Sequence, residues 1–284
     1  MKSSRSARRA RLRPVLHAHH DHAPDGGLTE DLRRIAARLD RRTMLLRALA
    51  FGAGAAFVGC GGGGSSWGSG TINPPGDGLC TLIPSETNGP YPADGSNGPN
   101  VLDDAGIVRS DIRSTFGSAG ATADGVPLTL RFLLTGTDCE PLVGYAVYAW
   151  HCDRLGRYSL YSSGVTGGNY LRGVQVTDAE GAVTFTSIFP GCYPGRWPHV
   201  HFEVYESLAV ATSENNVLRT SQLAFPASSC NDVYGTAGYE TSAQNISSLS
   251  LQTDGIFADS YASQLAAMTG TALAGYQSEL VVTV

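Results

Sequence analysis

From residue 80 onward the chain consists of short apolar runs broken by turn-forming residues, a pattern that predicts strands. "VPLTLRFLLTG" (126–136), "LVGYAVYAWHCD" (142–153), "GAVTFTSIFPG" (181–191), "HVHFEVY" (199–205), "TSQLAFP" (220–226) and "ELVVTV" (279–284) read as strands, with "RLGR" and "TDAEG" as turns. "FADSYASQLAAM" (257–268) fits a short helix or a loop equally well, and no internal repeat stands out. The stretch "ETNGPYPADGSNGPNVLDDAG" (86–106) is too long and too rich in Gly, Pro and Asn for a simple connection. It is either an arm laid over the sheets or a segment that shapes a pocket, or both. The expected architecture is all-β, a single β-sandwich domain over residues 80–284 with long loops.

Composition agrees: 42% hydrophobic residues in a 284-residue chain can bury one substantial core, and 35 glycines with 14 prolines favour turn-rich β structure over a helical bundle. Charge changes the picture at the N-terminus. Residues 1–47 hold 12 of the 20 Lys and Arg residues, and from residue 48 onward 8 arginines face 20 acids. A body with that balance is a poor nucleic-acid binder.

The basic segment ends in "DRRTMLLRALAFGAGAAFVGC", where Arg41 and Arg42 precede an apolar run from Met44 to Val58 that is short for a membrane span. This resembles a twin-arginine export signal, and "FVGC" resembles a lipobox with Phe57 in place of the usual Leu. Residues 1–59 are therefore expected to be an export leader. Residues 60–79 would then be a lipid-anchor cysteine, Cys60, followed by a Gly/Ser-rich tether. The expected location is the cell envelope or periplasm. "HAHHDH" (17–22) then belongs to the leader and is read as incidental. An exported domain permits disulfides, and Cys80–Cys139 and Cys152–Cys192 are the expected pairs, with one cysteine left free, although spacing does not fix connectivity.

Candidate chemistry centres on "PGRWPHVHF" (194–202). On a strand, His199 and His201 point to one face and bring two imidazoles to one spot, which is half a metal site. A lone H-x-H pair more often decorates a polar sheet face, so further ligands are required. Tyr193 lies on a proline-bounded turn six residues before His199, and Tyr158 follows the tight turn "RLGR". Taken singly, each tyrosine is more often a packing residue. Two phenolates with two imidazoles suit Fe(III), a hard trivalent ion able to depress a phenol pKa from its usual value near 10.

The joint pattern resembles the intradiol ring-cleavage dioxygenases, the family of protocatechuate 3,4-dioxygenase and catechol 1,2-dioxygenase. The resemblance rests on "GPYP" (89–92), "WHCDRLGRY" (150–158), "RGVQVTDAEGAVTFTSIFPGCYPGRWPHVHF" (172–202) and "TSQLAFP" (220–226), in order across most of residues 80–284. It implies metal ligands at Tyr158, Tyr193, His199 and His201, an active-site arginine at Arg196, a glutamine beside the substrate ring at Gln222, and a pocket-wall tyrosine at Tyr91. The implied cofactor is non-haem Fe(III). The implied reaction opens a catecholic ring between its hydroxyls with O2 to give a muconate-type diacid, with Tyr193 accepting a substrate proton and Arg196 stabilising negative charge. No N-terminal helical dimerisation domain precedes residue 80, so the resemblance leaves oligomeric state open, as it does the natural catechol.

Blander readings accompany these assignments. Arg196 in isolation reads as a surface salt bridge worth about 1 kcal/mol or less. Gln222 reads as a surface hydrogen-bonding group, and His151 as a packed or hydrogen-bonded histidine. Glu203 and Asp153 read as packed or hydrogen-bonded in the same way, because they lack a carboxylate partner at a spacing suited to acid/base work. Two other functions compete: an exported β-sandwich binding module without ring-cleavage activity, and a zinc or copper hydrolase built on H-x-H, which lacks a carboxylate base and a third nitrogen ligand.

Overall fold

The computed structural model describes residues 79–117 and 120–284. The leader (1–59), Cys60, the "HAHHDH" cluster and all of the tether but its last residue lie outside the described residues. Among the described residues no helix is long and apolar enough to cross a membrane.

Two four-stranded sheets pack face to face. The first has the order β4 (Ala182–Ile188), β1 (Pro127–Thr135), β8 (Gly275–Thr283), β7 (Ala267–Thr271); the second has the order β3 (Arg172–Val176), β2 (Ala146–Trp150), β5 (His199–Tyr205), β6 (Arg219–Ala224). Every pairing is antiparallel except β1 with β8, which run parallel. This is the all-β sandwich that the apolar runs predict.

In β1, Leu128, Leu130, Phe132 and Leu134 are buried on one side, while Thr129 and Arg131 on the other side are only partly covered. That is the period-two pattern of a sheet with one wet face. From the second sheet Val200, Phe202 and Val204 point inward to meet them, and Phe132 packs on Phe202 with ring centroids 5.0 Å apart. Each such side chain taken from water contributes about 1.5–3 kcal/mol.

The second sheet differs in that both of its faces are covered. Every residue of β2 and β5 is buried. Its outer face carries Tyr148, Trp150, His201, Glu203 and Tyr205, and the 86–106 segment folds over it. Ala93, Val101 and Leu102 join that aromatic cluster, Tyr148 Oη donates to the Pro92 carbonyl, and Gln222 Nε2 donates to the Thr87 carbonyl. The arm covers the sheet and shapes the site, as both readings of this segment anticipate.

Several elements were not legible in the apolar pattern. Strands β3 and β7 are short, and β7 is largely exposed. Two helices, α1 (Ala227–Tyr234) and α2 (Glu240–Ile246), follow β6. Segment 257–268 is turn-rich, with a 3-10 turn at Tyr261–Ser263 before β7 begins. Cys80 and Cys139 form a disulfide with Cα atoms 5.2 Å apart, as expected. The Cys152–Cys192 expectation is incorrect: Cys152, Cys192 and Cys230 are all reduced and buried. Their thiols turn to different backbone carbonyls, Cys152 to Gly191, Cys192 to Arg196 and Cys230 to Phe225.

Candidate metal centre

Cross-strand register draws the site together. On the outer face of the second sheet, Arg172 pairs with Trp150, Trp150 with His201, and His201 with Gln222, one row across four strands. The Trp150 ring stacks on His201 with centroids 5.0 Å apart and planes 7° from parallel. On the other side Gly89 (φ +72°) comes so close that a β-carbon there would sit 3.1 Å from His201 Cε1. Only glycine gives both that close approach and that backbone conformation without strain.

Beside His201 stands His199, with their Nε2 atoms 3.1 Å apart. His199 Nδ1 donates to the Trp197 carbonyl, which fixes the tautomer and leaves Nε2 as the acceptor. Tyr193 Oη lies 3.1 Å from that same Nε2. Tyr158 completes the group, its ring 5.9 Å from Tyr193 and 6.1 Å from His201 between centroids. Gly156 (φ +79°) makes the turn before Tyr158 and abuts Tyr193, so one tight turn sets both phenols.

Three polar atoms here are buried without a hydrogen bond: Tyr158 Oη, His201 Nδ1 and Trp150 Nε1. Burial pushes both histidines well below the ordinary imidazole range, helped at His199 by the Arg196 charge and at His201 by His199 and then Arg196, so both are neutral and able to donate lone pairs. Burial pushes both phenols upward, for Tyr158 with Tyr193 as the next cause. Four neutral donors thus converge, one of them an orphaned hydroxyl, and unpaired buried polar groups are costly. A cation would resolve this. The 3.1 Å spacing matches adjacent donors on one ion with bonds of about 2.0–2.1 Å, and the ion's charge would offset the cost of buried phenolate. No group of three His, Cys, Asp or Glu with metal-site geometry occurs among the described residues, so a metal centre here must recruit the tyrosines. The donor set fits a hard ferric ion.

Arg196 is no surface ion pair. It is 4% exposed, its Nε donates to Asp254 Oδ2 at 3.0 Å, and its Nη2 donates to Gln222 Oε1 at 2.6 Å. Gln222 is likewise fully buried. Tyr91 packs its ring 5.0 Å from Tyr158. His151 is hydrogen-bonded through both ring nitrogens, to the Cys152 carbonyl and to Ser187 Oγ, so neither is free to ligate.

Asp254 escaped the sequence reading. It accepts from Arg196, from the Trp197 amide and from the Ile256 and Phe257 amides, so one carboxylate fixes both the arginine and its own turn. Its only local signal is "TDG", which reads as an ordinary turn. Glu203 is buried and hydrogen-bonded. It lies on the histidine face, accepts from Tyr205 Oη, and is pushed well above the carboxylate range by burial and then by Asp94, a residue on the covering arm.

A family model described as dioxygenase matches residues 97–211, a span that contains Tyr158, Tyr193, Arg196, His199 and His201. The fold is similar to that of an intradiol ring-cleavage dioxygenase from Tetranychus urticae, with a TM-score of 0.57 and 24% identity over 72% of this chain and 94% of that one. The chain shares the fold of that structure and has a partial sequence similarity to dioxygenases. Among curated relatives, catechol 1,2-dioxygenase 2 of Acinetobacter lwoffii is 36% identical over 72 residues, 25% of this chain and 26% of that protein. Catechol 1,2-dioxygenase 1 of the same organism is 31% identical over 114 residues, 33% of this chain and 37% of that protein. The chain thus aligns with between a quarter and two fifths of the length of these two relatives. Tyr91, Gln222 and Asp254 lie outside the span of the family model and owe their place in the site to the fold.

Proposed function

We propose that this protein is a non-haem Fe(III) dioxygenase that opens catecholic rings between the two hydroxyls, using O2 and yielding muconate-type diacids. The observation that carries this reading is the convergence of Tyr158, Tyr193, His199 and His201, with the His199 tautomer fixed and the Tyr158 hydroxyl buried and unbonded. These four would hold the iron. Bound ferric iron supplies a Lewis-acidic centre that takes charge from a catecholate and so activates the ring toward O2.

The remaining steps belong to the chain. Tyr193 is the less buried phenol; held as a phenolate by the iron, its oxygen would be the base that takes a proton from an incoming catechol hydroxyl and becomes a neutral phenol. Arg196 keeps a fixed positive charge beside the site, where it stabilises negative charge developing on the ring. Groups that play this part in a dry site contribute about 2.7–4 kcal/mol. Asp254 holds the guanidinium in place, and Gln222 ties it to the Thr87 carbonyl of the arm. Tyr91 and Trp150 give the site aromatic walls that exclude water. The export motif at 41–60 supports placing the protein in the cell envelope, anchored through Cys60.

The test is a visible spectrum of iron-loaded protein before and after anaerobic catechol, followed by product analysis in air. A broad tyrosinate-to-iron band that shifts with catechol, and a ring-opened diacid afterwards, are expected. Colourless protein after iron loading, with no shift, would overturn the ligand assignment and favour a binding module.

A further inference from the structure

Arg172 is 1% exposed and lies at the β3 end of the row that runs through Trp150 and His201 to Gln222. A guanidinium has five N–H donors in a rigid plane, and all five are engaged here. Nε donates to Ser159 Oγ (3.1 Å), Nη1 to the Pro92 carbonyl (2.8 Å) and Tyr148 Oη (3.1 Å), and Nη2 to the Tyr91 (2.9 Å) and Ser159 (3.0 Å) carbonyls. None of the five acceptors is a carboxylate. A buried cation compensated only by neutral dipoles is an expensive choice where structure alone is needed.

What these acceptors share is their location. The Tyr91 and Pro92 carbonyls belong to the arm over the site, and the Ser159 carbonyl directly follows the candidate ligand Tyr158. One nitrogen, Nη2, bonds to both segments, and the Tyr91 and Tyr158 rings pack 5.0 Å apart beside it. Tyr148 Oη buttresses the arrangement by accepting from Nη1 while donating to the Pro92 carbonyl.

We propose that Arg172 is a positioning residue that fixes the Tyr91 wall relative to the Tyr158 ligand segment, so that substrate fit depends on a side chain that touches neither substrate nor metal. The proposal rests on the dioxygenase reading for its consequence in catalysis, but not for the coupling itself. Lysine keeps the charge and loses the planar fork, so Arg172→Lys separates geometry from electrostatics.

Two measurements test it. In iron-free protein, amide exchange at Ala93, Gly95 and Val101 of the arm is expected to rise about tenfold in Arg172→Lys, with the amides of β1 and β8 unchanged. In iron-loaded protein, KM for catechol is expected to rise about tenfold while kcat changes by about threefold or less. Tyr148→Phe, which removes the buttress and keeps the guanidinium, shifts both readouts in the same direction by a smaller factor, and decides the matter if Arg172→Lys fails to fold. Arm exchange that stays at the wild-type rate, or that rises equally throughout both sheets, would overturn the proposal. A wild type that never turns over catechol would sink the dioxygenase reading and leave the exchange result to judge the coupling.

Discussion

The two sheets look alike in sequence and differ in what lies beyond them. In β1 and β8 apolar residues alternate with residues that reach water. In β5 the same alternation, His-Val-His-Phe-Glu-Val-Tyr, is present, yet all seven residues are buried. The polar positions of the first sheet are its solvent face, whereas those of the second hold the candidate site, covered by the 86–106 arm. Period-two patterning thus reports which side faces the common core and says nothing of what covers the other side.

That difference can be broken from either sheet. Phe132→Ala opens a cavity where the sheets meet and is expected to cost about 3–5 kcal/mol in urea unfolding, while the iron-loaded protein keeps the visible spectrum of its centre. Tyr158→Phe does the reverse. It is expected to lower iron affinity and catechol turnover by about a hundredfold or more, yet leave iron-free stability unchanged or slightly raised, because the hydroxyl it removes has no hydrogen bond. Equal damage from both substitutions to both properties would erase the distinction.

Smaller effects sharpen it. Asp254→Asn keeps the shape and removes the charge opposite Arg196. We expect kcat to fall about tenfold, and the loss to be non-additive with Arg196→Gln in a double-mutant cycle. Acid should weaken the second sheet selectively. His151 is pushed down to about 4 by burial, and His199 and His201 are pushed down also, so the folded iron-free protein stays unprotonated where the unfolded chain takes up protons. Stability is then lost as pH falls from about 6.5 toward 4, and His151→Asn should flatten that slope in urea titrations at several pH values. Last, Gln277→Thr on the exposed face of β8 should stay within about 0.5 kcal/mol of wild type.

Sequence made the four donors and Arg196 legible because they fall within two compact motifs, a turn ending in Tyr158 and the run from Tyr193 to His201. Asp254, Arg172 and the Asp94–Glu203 contact were hidden for a common reason. Each acts across a long separation, 58 residues from Asp254 to Arg196 and 81 from Arg172 to Tyr91, and none has a local pattern distinguishable from a turn, a strand arginine or a surface carboxylate. The mistaken Cys152–Cys192 pair has the same origin, since spacing does not tell which way a thiol points. Strand β7 and helices α1 and α2 escaped because they are short and carry few apolar residues.

The parallel pairing of β1 with β8 sets a timetable for synthesis. Thr135 and Thr283 sit side by side although 148 residues separate them, and β8 occupies the middle of its sheet between β1 and β7. A nascent chain therefore holds β1 with one edge unpaired until β8 emerges. The first sheet closes late and all at once, and until then the chain depends on whatever shields that edge from other chains.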